Sequence, residues 1–183
     1  MRLFLAFDLD DGLIREADRL SRELRKERAL SRAKWVAPSA MHVTLRFIGE
    51  GDASLAEALG ALVEKLGSGR RIIHVRSTSF VAFGNVRRAR VLGLDISDDG
   101  TLQTIFSETE RAVREMGVEP DPHDVYRPHL TLARLREPTD LRSVVGDRAV
   151  SLAGRITSIV LYESKTLPTG PVYTALSRAV LAD

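Results

Sequence analysis

The segment Met41-His42-Val43-Thr44-Leu45-Arg46-Phe47-Ile48-Gly49 decides how the rest of the chain is read, because its centre returns later as His129-Leu130-Thr131-Leu132. From Met41 to Ile48, Val43, Leu45 and Phe47 alternate with His42, Thr44 and Arg46, the period of a β-strand with one apolar and one polar face. In each copy an imidazole and a hydroxyl two residues apart therefore share a face, backed by Val43 and Leu45 or by Leu130 and Leu132. The chain has four histidines, and two of them, His42 and His129, carry this pattern while His74 and His123 do not. One His-x-Thr is an ordinary feature of a strand core. Two copies with apolar residues at matching positions point to a shared role.

Working outward, Arg2 to Asp8 reads as a buried strand, and Asp10 and Asp11 sit where a helix start favours carboxylates. Leu13, Ala17, Leu20 and Leu24 continue at helical spacing to about Leu30, and Trp35 to Pro38 is a connection. After the His42 strand, Gly49-Glu50-Gly51 is a break and Asp52 an N-cap for a helix striped by Leu55, Leu59, Leu62 and Leu66. Gly67-Ser68-Gly69 closes that helix, and Arg71 to Phe80 reads as one strand. Past the turn signal Gly84-Asn85 the order repeats. Arg88 to Ile96 is a strand, Leu102 to Met116 a helix, Val118 to Pro128 a proline-rich loop, and His129 to Leu132 a short strand. A weak helical stretch follows Pro138, with closing strands at Arg155 to Glu163 and Val172 to Val180.

Leu3 precedes His42 by 39 residues and Val91 precedes His129 by 38. Such matched offsets indicate a duplication, with pseudo-repeats over approximately 1–84 and 85–183 of a single domain, 1–183. Two copies packed pseudo-symmetrically bring equivalent residues to face each other.

Composition sets the frame for the chemistry. With 183 residues, 44% of them hydrophobic and 28% charged, the chain buries a real core as one domain or two small lobes, which excludes a disordered or fibrous protein. No window approaches a membrane span, and the opening apolar run breaks to charge at Asp8, so the expected compartment is the cytoplasm. The absence of cysteine excludes disulfides, thiolate metal sites and a cysteine nucleophile. Of 27 basic residues only Lys26, Lys34, Lys65 and Lys165 are lysines. Arginine forks suit phosphate and RNA partners, although a GC-rich coding sequence yields the same count.

Two imidazoles near their ordinary pKa of about 6.5 can be held in opposite protonation states at neutral pH, one as base and one as acid. Displacement at phosphorus uses such a pair on opposite sides, since nucleophile and leaving group lie roughly in line. Thr44 and Thr131 can meanwhile donate to the non-bridging oxygens. A zinc site is the rival reading, but zinc usually takes three protein ligands, and neither tetrapeptide carries a third at ligand spacing. The expectation is no metal and no cofactor. A metal-dependent phosphodiesterase and a non-catalytic RNA- or nucleotide-binding module stand as alternatives.

The chain resembles the two-histidine phosphoesterase superfamily, and within it the RNA 2′,3′-cyclic phosphodiesterases, also called 2′-5′ RNA ligases. The resemblance runs through Arg2-Leu3-Phe4-Leu5-Ala6, Trp35-Val36, His42 to Gly49, Tyr126-Arg127-Pro128-His129-Leu130-Thr131-Leu132-Ala133-Arg134 and Tyr162-Glu163-Ser164. It implies a bilobal, internally duplicated α+β fold: two antiparallel sheets facing a central cleft, helices on the outside. It also implies metal-independent opening of a terminal 2′,3′-cyclic phosphate on RNA or a cyclic nucleotide to a 2′-phosphate. Separately, the chain is expected to be a monomer. Ligation, with an RNA 5′-hydroxyl in place of water, is the implied side reaction. His42 takes the proton-donor role and His129 the acceptor role by resemblance alone, because the pseudo-symmetry leaves the two exchangeable.

Four further residues are candidate substrate contacts. Arg46 shares the parity of His42 and Thr44 and is expected at the cleft, on a phosphate or in water. Arg127 shares parity with His129 across Pro128, which disturbs the strand. Arg134 looks like a family substrate contact, but five residues from His129 it falls on the wrong face unless the strand ends or bulges near Ala133. Tyr126 reads either as a base-stacking ring or as a buried aromatic. His74 and His123 read as structural or exposed, and Arg87, Arg88 and Arg90 as a solvated hairpin face or a guide for RNA.

Overall fold

Leu3, Leu5, Phe7 and Leu9 all point to one side of the first strand and are buried in the core, whereas Phe4 and Ala6 lie buried on its other face. That division, helices and core behind the sheet and a cleft in front, organises the molecule. A computed structural model describes residues 1–120, 125–146, 148–168 and 170–183. His123 lies outside the described residues.

In chain order the elements are β1 (Arg2–Leu9), α1 (Asp11–Leu24), β2 (Lys34–Trp35), β3 (Val43–Glu50), α2 (Ala53–Gly67), β4 (Ile73–Ser77), β5 (Phe80–Asn85), β6 (Arg88–Asp95), α3 (Thr101–Glu115), β7 (His129–Thr139), α4 (Arg142–Val145), β8 (Leu152–Leu167) and β9 (Gly170–Val180). Local chemistry accounts for the helix starts. The Asp10 carboxylate accepts the Leu13 amide at 2.8 Å and Asp52 accepts the Leu55 amide at 2.9 Å, each satisfying a donor that the first turn leaves unpaired. Helix α1 stops at Leu24 and a 3-10 turn covers Arg28–Leu30, short of the continuous helix expected there. The strand expected over Arg71 to Phe80 is two, parted where the Thr78 and Ser79 amides turn to donate to Asp95 at 2.9 and 2.8 Å.

Among the described residues the strands join in the order β4-β8-β1-β3-β7-β6-β5, with β9 on β8 and β2 on β7. The fold is the expected duplicated α+β arrangement, and its two antiparallel halves are joined strand to strand at Val43 opposite Leu130, with a further bridge between Arg76 and Ser97. Strand β8, late in the chain, flanks β1, while β5 flanks β6, so each half-sheet is completed by a strand from the other half of the sequence.

The duplication is closer than the sequence spacing showed. Phe4 faces Phe47 across β1 and β3, and Val91 faces Arg134 across β6 and β7. His42 and His129, Thr44 and Thr131, Phe47 and Arg134, Phe4 and Val91, and Asp8 and Asp95 each stand 87 positions apart. The partner of Val91 is thus Phe4, one residue on from Leu3. Both histidine strands also bulge at the same place: Leu5 and Ala6 face Arg46 and Thr44, and Leu92 and Gly93 face Ala133 and Thr131, leaving Leu45 and Leu132 as the extra residues. Gly93 is needed where it stands, since a Cβ there would meet the Leu130 carbonyl oxygen at 2.7 Å.

Candidate active site

The pair Val43 and Leu130 fixes the register at the centre of the sheet, so that along these antiparallel strands His42 falls beside Thr131 and Thr44 beside His129. Each histidine therefore neighbours the threonine of the other copy. A cavity of about 150 Å³ opens there, lined by His42, Thr131 and Arg134 with Lys34, Trp35 and Tyr173. His129 lies two residues from Thr131 on the same strand face.

Both imidazoles are held the same way. His42 Nδ1 lies 2.9 Å from the Ala40 carbonyl oxygen, and His129 Nδ1 lies 2.8 Å from that of Arg127. A carbonyl only accepts, so each Nδ1 carries the proton and each Nε2 is left for chemistry. The rings rest on aromatics: Phe4 is 5.1 Å and the edge-on Tyr173 5.2 Å from His42, and Phe83 is 4.3 Å from His129. Burial pushes His42 below the usual imidazole value, the bond to Ala40 and the Asp8 carboxylate pull it back, and Arg134 and His129 push it further down. Burial likewise lowers His129, opposed by its bond to Arg127 and reinforced by Arg134. One guanidinium thus acts on both imidazoles.

The two bulges decide where the neighbouring residues go. After Leu132, Ala133 turns into the core and Arg134 emerges on the cavity side, the arrangement that a regular strand would have denied it. After Leu45 the same slip turns Arg46 away from the cleft. Arg46 is 4% exposed and bonds to the Glu110 carboxylate, the Phe47 carbonyl and the Glu119 carbonyl, so the expectation that it reaches the cleft is corrected: it is a buried tie from β3 to α3. Phe47 takes the place equivalent to Arg134, 56% exposed with its ring 5.9 Å from that of Phe4.

Tyr126 is likewise not a ring presented to a base. It lies flat on Phe106, centroids 4.5 Å apart, and donates its hydroxyl to the Thr44 carbonyl at 3.1 Å, with burial pushing its phenol well above the usual value. It braces the first motif from behind. Arg127 is exposed, and its carbonyl is what holds His129. His74 is exposed on β4 and lines a separate hollow with Arg71 and Arg76, and Arg87, Arg88 and Arg90 are exposed on the β5–β6 hairpin. Among the described residues no three His, Cys, Asp or Glu side chains gather as metal ligands, and no helix is long and apolar enough to cross a membrane.

Sequence reasoning passed over Phe47, Phe83, Tyr173 and Asp8. Phe47 was masked by the assumption of an unbroken strand, and the others reach the site from distant strands. The parity shared by Phe4, Ala6 and Asp8 was the one signal that could have shown Asp8 on the histidine face.

Two His-x-Thr motifs carried side by side on a duplicated antiparallel sheet are the pattern of a two-histidine phosphoesterase. The family model described as LigT like phosphoesterase matches residues 7–93 and 94–173. The chain belongs to that family. It is 28% identical over 179 residues to the RNA 2′,3′-cyclic phosphodiesterase of Methanothermobacter thermautotrophicus, covering 95% of each chain. It is 32% identical over 150 residues to the enzyme of that name from Aeropyrum pernix, covering 78% of this chain and 83% of the other. Among solved structures, TT0787 of Thermus thermophilus superposes with a TM-score of 0.81 at 26% identity, over 99% of this chain and 98% of that one. LigT of E. coli complexed with 3′-AMP gives 0.69 at 28% identity, over 100% and 98%.

Proposed function

We propose that the chain is an RNA 2′,3′-cyclic phosphodiesterase that opens a terminal 2′,3′-cyclic phosphate to a 2′-phosphate by acid–base catalysis from two imidazoles, without a metal. The observation that carries this reading is the matched pair of imidazoles on neighbouring strands, each holding Nδ1 on the carbonyl two residues back, with His42 beside a cavity that Thr131 and Arg134 also line. The curated relatives that bear this name, from several organisms, support the substrate class.

In this reading neutral His129 takes a proton from water, whose oxygen bonds to phosphorus. Protonated His42 gives its proton to the 3′ oxygen as the bond from phosphorus to that oxygen breaks, and the phosphate stays on the 2′ oxygen. Thr44 and Thr131 donate to the non-bridging oxygens, and Arg134 offsets the charge that gathers on them. Phe47 offers a flat apolar face for the terminal base. An RNA 5′-hydroxyl in place of water gives a 2′-5′ join as the side reaction, which needs a second strand oriented against abundant water.

Hydrolysis of 2′,3′-cyclic AMP, with the product identified as 2′- or 3′-phosphate, tests this. His42→Ala and His129→Ala are each expected to lower kcat/KM by about 10²-fold or more while the fold persists. Full activity in either variant, or loss of wild-type activity in EDTA, would overturn it.

A further inference from the structure

The duplication leaves His42 and His129 in equivalent places, so something outside the repeated tetrapeptides must make one the acid and the other the base. Each histidine has a carboxylate as its neighbour on the adjoining strand. Asp95 is paired with His129 across β6 and β7. Phe7 faces Val43 across β1 and β3, which puts Asp8 beside His42 in the same relation.

The two carboxylates are held very differently. Asp95 is turned into the β4–β5 junction, where Oδ1 accepts the Ser77 hydroxyl at 3.0 Å and the Thr78 and Ser79 amides at 2.9 and 2.8 Å, and Oδ2 lies 3.3 Å from the Thr78 hydroxyl. Those donors commit the carboxylate to a turn. Asp8 stays on the cleft face: it accepts the Tyr162 hydroxyl at 2.7 Å and the Arg178 guanidinium, and Arg178 also donates to the Ser158 hydroxyl at 2.9 Å. Tyr162 stacks on Phe4 at 5.3 Å and stands 6.3 Å from the His42 ring, so the network is part of the wall around that histidine.

We propose that Asp8, held between Tyr162 and Arg178, is the positioning residue that makes His42 the proton donor, and that its counterpart Asp95 has been withdrawn from His129 into a structural turn. The proposal rests on the phosphodiesterase reading and adds to it the source of the asymmetry. Among the described residues, the charged and titratable groups around His42 are Asp8 from β1, His129 and Arg134 from β7, Tyr162 from β8, Tyr173 from β9 and Lys34 from β2, with Arg178 of β9 bonded to Asp8. Of these, Asp8 is the one carboxylate, and it favours the imidazolium. Arg178 moderates it.

The test uses sign. Histidine ring titrations by NMR, together with pH profiles of kcat/KM on 2′,3′-cyclic AMP, are recorded for the wild type, Asp8→Asn, Asp8→Glu, Arg178→Gln and Asp95→Asn. Asp8→Asn is expected to lower the His42 pKa by about half a unit or more, with the alkaline limb of the profile moving to lower pH and His129 nearly unmoved. Arg178→Gln, which leaves the Asp8 charge unmoderated, is expected to move His42 the opposite way, and Asp8→Glu to restore much of the alkaline limb. Asp95→Asn is expected to cost stability without shifting His129. A purely structural role would move Asp8→Asn and Arg178→Gln in the same direction, and that result, or equal shifts at both histidines, would overturn the proposal. A wild type inactive on cyclic phosphate would instead defeat the phosphodiesterase reading, while the NMR titrations still report on Asp8 and His42.

Discussion

Replacing Arg46 with methionine separates two roles for the same residue, a phosphate contact on a regular strand and a buried tie on a bulged one. The side chains of Arg46 and Glu110 are 4% and 11% exposed, and the guanidinium also bonds to the Phe47 and Glu119 carbonyls. Removing one member of such a buried pair costs about 3–5 kcal/mol, because the desolvated charge that remains loses an opposite charge that offset it. Arg114, 60% exposed and 3.9 Å from the other Glu110 oxygen, offsets little of this. In a chain of this size each kcal/mol moves Tm by about 2–4 °C, so Arg46→Met is expected to melt about 6–20 °C below the wild type. Arg46→Met with Glu110→Met removes both charges and is expected to recover most of the loss. Calorimetry gives Tm, and kcat/KM on 2′,3′-cyclic AMP is measured well below the variant's melting point. The folded single variant is expected within about threefold of wild-type activity, against the 10²–10³-fold loss of a transition-state phosphate contact. An unchanged Tm with a hundredfold fall in kcat/KM, unrelieved in the double variant, would refute the bulge argument.

Thr131→Val, measured by steady-state kinetics, is expected to lower kcat by about 10²-fold with Tm little changed, since the half-buried hydroxyl lines the cavity while its backbone stays in the ladder. Arg134→Gln is expected to raise the pKa of both histidines, read by NMR, because its charge opposes the imidazolium at each. Both histidines titrate lower folded than unfolded, so the unfolded chain takes up protons first as pH falls through about 6.5. Stability therefore declines on acidification from about pH 7 toward 5, and denaturant melts of His42→Gln with His129→Gln are expected to show a shallower slope over that window.

How much could be read in advance varies with the range of the interaction. Asp10 and Asp52 cap their helices through residues three positions away, so those starts were legible. The facing of His42 with Thr44 and of His129 with Thr131 needs only strand periodicity. Arg46 and Arg134 show where that reasoning stops. Parity sent one into the cleft and the other away from it, and the bulges at Leu45 and Leu132 reverse both. A bulge is set by the pairing of two strands far apart in sequence, and nothing in the alternation of one strand reports it. Tyr126 was ambiguous for a related reason, because its partner Phe106 belongs to another element.

The sequence by itself determined the duplication, the two histidine–threonine faces and the residue types available for acid–base chemistry, since these rest on composition and on contacts within a few residues. Only the tertiary structure decided which side chains surround the two imidazoles. Strand β8 crosses to flank β1, β5 flanks β6, and Asp8 meets Tyr162 and Arg178 from 154 and 170 residues away. A sheet assembled from both halves of the chain can treat two identical motifs differently, because each motif's surroundings are supplied in part by strands from the other half.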